Sequence, residues 1–239
     1  MVHPLVPGNS IVEQMIKWTF VFITLSSLVF GQEVTINPAG SQPITLESGF
    51  KLQFVSGNNQ YLMSHWAKGK LYYANNTSNA YDSLNFDRYG NAIEVIIHDK
   101  PLTVYPMGLA GALIHTGENS GYVLIKGELD GEQKMLEVLS SGKYVLAKYL
   151  EVNEVPSSQI VKTDEFRFVP KPEAPVNISV VFYVWDSGAW NEFRLNKSSI
   201  GKLFKVDKKE IQNFSYENHL NISNAKDLIQ LFHYFNNAH

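Results

Sequence analysis

Residues 122–149 read YVLIKGELDGEQKMLEVLSSGKYVLAKY, and this stretch decides the fold. Two apolar-rich runs, 122–127 and 133–139, flank the dipeptide Asp130-Gly131. Asp-Gly favours the positive backbone angles of a tight two-residue turn, so the pair marks a β-hairpin. Ser140-Ser141-Gly142-Lys143 makes the next break, and residues 144–149 follow as a third strand. Consecutive strands joined this closely must run antiparallel.

The same alternation of short apolar runs and turn clusters extends upstream. Residues 50–55 alternate and stop at Ser56-Gly57-Asn58-Asn59, residues 69–73 form a strand ending at Asn75-Asn76, and residues 61–66 between them are ambiguous. Residues 81–88 lead through the turn Tyr89-Gly90-Asn91-Ala92 into the β-branched run 93–98. Asp99-Lys100-Pro101 is expected to turn out of that run into residues 102–105. Residues 32–48 are polar, contain Pro38, Gly40 and Pro43, and read as an extended arm or irregular edge strand.

Downstream, Pro156, Pro170, Pro172 and Pro175 argue against a central strand, because proline lacks the ladder donor. A short edge strand at 165–169 is still compatible with that segment. Residues 180–185, the turn Asp186-Ser187-Gly188 and residues 189–195 form another hairpin. From Ser198 the period changes. Asp207 is placed to cap a helix carrying Ile211 and Phe214, and Asn224 to cap another. In the second, Leu228, Leu231, Phe232 and Phe235 fall at i, i+3, i+4 and i+7, a single apolar stripe. The expected class is therefore α+β, mainly β: an antiparallel hairpin meander with short C-terminal helices packed on it. Residues 32–197 form the β-rich body, with a proline-rich segment near 156–175, and residues 198–239 a helical segment of the same globular unit.

Residues 1–31 read differently. Residues 18–30, WTFVFITLSSLVF, carry no charge, follow Lys17 and precede Gly31-Gln32. A basic residue, a short apolar run and a small residue are the layout of a cleavable secretory signal, with the cut expected between Gly31 and Gln32. A membrane-spanning helix needs about 20 apolar residues, more than this run supplies. The residues ahead of Met15 contain Pro4, Pro7 and Gly8 and no Lys or Arg, which suggests Met15 as the start of the leader and an upstream extension before it.

Composition narrows the function. The 239 residues are 44% hydrophobic and 18% charged, the profile of a chain that folds around a core. The formal net charge is −3, and the densest basic group, Lys202, Lys205, Lys208 and Lys209, is interleaved with acids. That group reads as the solvated side of a helix, and nucleic acid is not an expected partner. The absence of cysteine excludes disulfides, thiolate metal sites and thiol nucleophiles.

No motif for catalysis is visible. Ser141-Gly142-Lys143 is followed by Tyr144, not by the Ser or Thr of a phosphate loop. No G-x-S-x-G elbow and no dinucleotide fingerprint occurs. The seven histidines show no metal-ligand spacing, and His98-Asp99, as neighbours along a strand, would point to opposite faces. Asp82 and Asp87 form one loose acidic group, and Glu128, Asp130 and Glu132 another at the expected hairpin tip. Tyr61, Trp66, Tyr72 and Tyr73 form an aromatic-rich patch able to stack on a sugar or to serve as ordinary core. Asn75, Asn76, Asn177, Asn196, Asn213 and Asn221 each begin an N-x-Ser/Thr triplet, significant only in a eukaryotic secretory pathway.

Lys68-Gly69-Lys70-Leu71, Leu84-Asn85-Phe86-Asp87 and residues 135–146 resemble a family of exported proteins of Bacteroidota that has no established activity. Residues 203–211 and 227–231 are similar to the same group, as is the leader ending Phe30-Gly31-Gln32. The resemblance implies a periplasmic or other envelope location. It carries over no catalytic, cofactor or metal residue. The expectation is a non-catalytic binding protein of the cell envelope whose partner is an envelope protein, a saccharide or a lipid. One alternative is a hydrolase assembled from dispersed residues such as Asp82, Asp87 and His98. Another is a structural or peripheral outer-membrane protein without a spanning segment in its mature part.

Overall fold

A computed structural model describes residues 34–36, 44–47, 49–53, 58–154 and 176–238. The leader with its Gly31/Gln32 cut, the edge strand expected at 165–169 and the proline-rich segment lie outside the described residues.

The sequence folds as two successive meanders joined by a return of the chain across the sheet. The strands are β1 (Val34–Ile36), β2 (Ile44–Leu46), β3 (Lys51–Leu52), β4 (Ala67–Tyr73), β5 (Ser78–Asp87), β6 (Ala92–Ile97) and β7 (Lys100–Val104). After a 3-10 turn at Pro106–Gly108 come β8 (Leu109–Gly117), β9 (Ser120–Leu129), β10 (Glu132–Ser140), β11 (Val145–Glu154), β12 (Val176–Asp186) and β13 (Ala189–Glu192). The helices α1 (Lys197–Phe204), α2 (Lys208–Glu217) and α3 (Ala225–Ala238) close the chain. β13-β12-β11-β10-β9-β8-β4-β5-β6-β7 form one open antiparallel sheet, with β3 paired parallel to β9, while β1 and β2 make a separate ribbon.

The hairpin at Asp130-Gly131 forms as expected, with φ of 52° and 79° at the two turn residues and Leu129 opposite Glu132. The turn after β6 differs. It consists of His98 and Asp99, both at positive φ, and Lys100 and Pro101 belong to β7. Proline is tolerated there because β7 is an edge strand. β8 was not anticipated: LAGALIHTG mixes small and apolar residues without alternation, yet it runs through the middle of the sheet, buried on both faces.

Alternate residues of the central strands build different cores. On β9, Val123 and Ile125 face a first cluster that also holds Tyr72, Ala110, Leu136 and Ala147, and the β1–β2 ribbon covers it with Ile36, Ile44 and Leu46. A side chain at Gly111 would collide with Ile44, so the ribbon lies directly on the backbone there. Leu124 faces a second cluster with Leu71, Leu84, Phe86, Ile93, Val95 and Met135. The sheet curls over this second face. Asn91, in the β5–β6 turn, donates from Nδ2 to Met135 O (3.0 Å) and accepts from Met135 N (2.9 Å), although β8, β9 and β4 separate β10 from β5 in the strand order.

Farther along the second face, Leu139, Leu146 and Val184 meet the helices. The stripe on α3 packs there as its spacing requires, with Leu231, Phe232 and Phe235 fully buried beside Phe204 and Ile211. Asp207 caps α2 by accepting from Glu210 N (2.8 Å), and Asn224 Oδ1 accepts from Lys226 N (2.9 Å) at the start of α3. The first helix, α1, is an addition to the two expected, and Asn196 caps it through Ser199 N. No helix among the described residues is long and apolar enough to cross a membrane.

Candidate functional site

Residues 58–66 run beside β5, with a single bridge from Tyr61 to Asp87 as their only sheet pairing. Their backbone is satisfied instead by side chains and main chain of the β5–β6 hairpin. Asn58 O accepts from Tyr89 Oη (2.6 Å), Asn59 O from Arg88 Nη1 (3.1 Å) and Gln60 O from Arg88 N (2.8 Å). Leu62 N donates to Phe86 O (3.0 Å), and Met63 N to Asn85 Oδ1 (3.2 Å). Asn85 Nδ2 reaches Met63 O (2.9 Å) and His65 O (3.4 Å). Leu62 and Met63 anchor the segment in the second cluster. With those two turned inward, Tyr61, Ser64, His65 and Trp66 are presented outward.

The result is a groove of about 460 Å3. Tyr61 and Trp66 contribute two rings, Asn59, Gln60, Ser64 and His65 polar groups, the last two in contact at 3.5 Å (Ser64 Oγ to His65 Nδ1), and Met63 and Asn85 buried positions beneath them. No Asp, Glu, Lys or Arg lines it. Tyr61 and Trp66 are 38% and 39% exposed, unlike the rings that fill the clusters. At the rim, Tyr61 Oη donates to Glu94 Oε1 at 3.4 Å. Partial burial and then the nearby carboxylate of Glu94 raise the Tyr61 pKa, so the hydroxyl stays a donor at neutral pH.

Arg88 ties the groove to the far side of the sheet's concave face. It is 1% exposed, and its Nε donates to Glu137 Oε1 at 2.7 Å. Glu137 (5% exposed) holds Lys148 (2% exposed) through Oε2 at 3.0 Å. Burial pushes the Lys148 ammonium below its ordinary pKa and Arg88 adds to that, while Glu137 pulls the other way. Charges this deep are tolerated only when paired and hydrogen-bonded. The network spans the β5–β6 turn, β10 and β11, between the second cluster and the helix-covered third.

The residues singled out from sequence separate. Tyr61 and Trp66 share the groove. Tyr72 lies in the first cluster on the other face of the sheet, and Tyr73 hydrogen-bonds Tyr81 (3.0 Å), its pKa pushed up to about 12 chiefly by burial. Asp87 caps the β5–β6 turn by accepting from Tyr89 N and Gly90 N. His98 stands in the turn at the opposite end of β6, roughly 20 Å of strand away. Exposed Asp82 is 3.8 Å from Lys68 Nζ. These three do not converge. Glu128, Asp130 and Glu132 sit exposed at the β9–β10 tip, where Glu132 pairs with Lys134.

Two arrangements were not visible in the sequence. The Arg88–Glu137–Lys148 network joins residues far apart in the chain. A Ser–His contact, Ser140 Oγ to His233 Nδ1 at 3.1 Å, links the sheet to α3. Ser140 is 0% exposed, so no substrate reaches its hydroxyl, and the contact fastens the helix. A second groove of about 340 Å3 lies between α2 and α3, where Phe214 stacks on Tyr234 at 3.8 Å beneath a charged rim of Asp207, Lys209 and Glu217. Among the described residues no group of three or more His, Asp or Glu is placed to hold a metal ion. No protein-family model, curated protein or solved structure matches the chain, and its function is therefore read from the grooves and the sheet themselves.

Proposed function

We propose that this chain is an exported, non-catalytic binding protein of the cell envelope, and that the groove over residues 58–66 is its ligand site. One observation carries the reading: two half-exposed aromatic rings stand on a loop whose backbone groups are already held by Arg88, Tyr89 and Asn85. A loop fixed in that way presents its side chains in a set arrangement, which lowers the ordering cost of binding. Ser64 Oγ and His65 Nδ1 meet in the groove only at 3.5 Å and in an exposed position, and among the described residues no third group orients the imidazole, so the pair is poorly built for nucleophilic work. The export component rests on the leader at residues 18–30 with its expected cut between Gly31 and Gln32.

The test is retention from an envelope extract on the immobilised full chain, compared with a Tyr61→Ala, Trp66→Ala double variant. A molecule held by the first and lost from the second is expected; identical eluates would sink the proposal.

Peripheral attachment to the outer membrane is a second reading, favoured by the exposed apolar side chains of Leu102, Tyr105 and Met107 at and after the edge strand β7. Recovery of the protein entirely in the soluble fraction would end that reading.

A further inference from the structure

We infer that the ligand of the 58–66 groove is a neutral saccharide, one sugar ring packing its C–H face on Trp66 and Tyr61; this rests on the binding role just proposed. The chemistry of the groove selects against the other classes. Anionic ligands such as phosphates or carboxylates are best held by Lys, Arg or a cluster of free backbone N–H donors; no Lys or Arg lines the groove, and the exposed imidazole of His65 is its one ionisable nitrogen group. Glu94 at the Tyr61 rim adds repulsion against them. A cationic ligand would find the two ring faces with the carboxylates of Glu94 and Asp87 near Tyr61, but no carboxylate lining the groove itself to pair with its charge. An acyl chain needs a deep apolar tunnel, and Met63 is the one aliphatic side chain lining this open groove. A peptide added as a strand needs a row of unpaired backbone groups. Here the carbonyls of Asn58, Asn59, Gln60, Met63 and His65 already accept hydrogen bonds from the β5–β6 hairpin.

What the groove offers is two flat rings beside the amide and hydroxyl groups of Asn59, Gln60 and Ser64. A pyranose matches both halves of that surface. Its ring hydrogens form an apolar face for the indole and phenol, and its hydroxyls donate and accept around the edge, where side-chain amides and hydroxyls do the same. Half-exposed rings stay accessible to such a ligand without any opening of the fold.

The experiment is calorimetric titration of the full chain with neutral tetrasaccharides of β-1,4-glucose, α-1,4-glucose, β-1,4-xylose and β-1,4-N-acetylglucosamine, with polygalacturonate as an anionic control. At least one neutral oligomer should bind. Trp66→Ala and Tyr61→Ala should each weaken it about tenfold or more, as central aromatic contacts do. Trp66→Phe should keep part of the affinity, and Tyr216→Ala, on the exposed side of α2, should leave it unchanged. Circular dichroism identifies any variant that fails to fold, and Tyr61→Ala and Trp66→Phe then carry the test. Binding of polygalacturonate alone, binding insensitive to both ring deletions, or no saccharide binding would overturn the inference. In that last case, retention of an extract component that depends on Tyr61 and Trp66 would leave the binding role standing without the saccharide.

Discussion

The concave face of the sheet is closed by opposite means at its two ends. At the β10–β12 end, α1–α3 cover it with rings and branched aliphatic side chains, among them Phe204, Leu231, Phe232 and Phe235. Where β5 and β6 curl back toward β10, the closure combines the apolar second cluster with buried polar groups: Asn85, Arg88, Asn91, Glu137 and Lys148. An apolar cap needs only volume and a stripe, and it tolerates many packings of similar size. A hydrogen-bonded closure fixes direction as well. Arg88 reaches Glu137 with one nitrogen and the Asn59 carbonyl with another, so one side chain sets both the curl of the sheet and the position of the groove. Binding surfaces gain from the second kind of closure.

The largest effect expected is at the charged seam. Glu137→Ala leaves two buried cations facing each other and should cost about 3–5 kcal/mol in denaturant unfolding. Replacing Arg88, Glu137 and Lys148 together with Met, Leu and Met should recover most of that loss, since a well-packed apolar set avoids the desolvation cost. The triple variant should nonetheless bind ligand more weakly, because the Asn59 carbonyl loses its donor. Equal affinity in a folded triple variant would break the link drawn between seam and groove.

In the helical cap, Leu231→Ala should cost about 2–5 kcal/mol by opening a cavity, measured the same way, with ligand affinity unchanged. A smaller loss, about 1–3 kcal/mol, is expected for Asn236→Ala, which strips partners from Tyr144 N and Tyr144 O. An effect on the groove from either cap variant would erase the division of labour.

The smallest effects separate the two regions by pH. His233 and Lys148 are both bases whose folded pKa is lowered by burial, from ordinary values of 6.5 and 10.5. For His233 the buried part is the Nδ1 edge against Ser140, while the residue as a whole is exposed. In each case the unfolded chain holds the proton in the window just below the ordinary value, so stability falls as pH drops through that window. Acidification from pH 7 toward 5 should therefore weaken the wild type more than His233→Gln. Between neutral pH and about 10.5, the rise in stability with pH should be shallower in Lys148→Met. Parallel unfolding curves for variant and wild type across either window would remove the corresponding group from the account.

The two closures also differed in how far the sequence revealed them. The α3 stripe is periodic, and a period of 3.6 residues survives in one dimension, so Leu228 to Phe235 could be read and packed in advance. Asp130-Gly131 was legible because its turn chemistry is local. Arg88, Glu137 and Lys148 each look like an ordinary strand-end or strand residue, and only the curl brings them together. β8 lacked alternation because both its faces are buried. Residues 61–66 were ambiguous for a physical reason: their backbone is held mostly by one side chain on β5, Asn85, which leaves no periodic trace. The aromatic patch, which the sequence left open between stacking surface and ordinary core, divides between the two: Tyr61 and Trp66 are exposed, while Tyr72 lies in the core and Tyr73 in a partly buried hydroxyl pair.

The β1–β2 ribbon has a kinetic corollary. Beyond the ribbon itself, Ile36, Ile44 and Leu46 pack in a cluster whose other buried members lie between Tyr72 and Ala147, well downstream. The surface they cover is complete only when the strand carrying Val145 and Ala147, about a hundred residues later in the chain, has been made. Contacts so distant in sequence form late, at a high loop-closure cost. The ribbon therefore docks after the strands it covers, and the rest of the sheet has to stand without that cover while it forms.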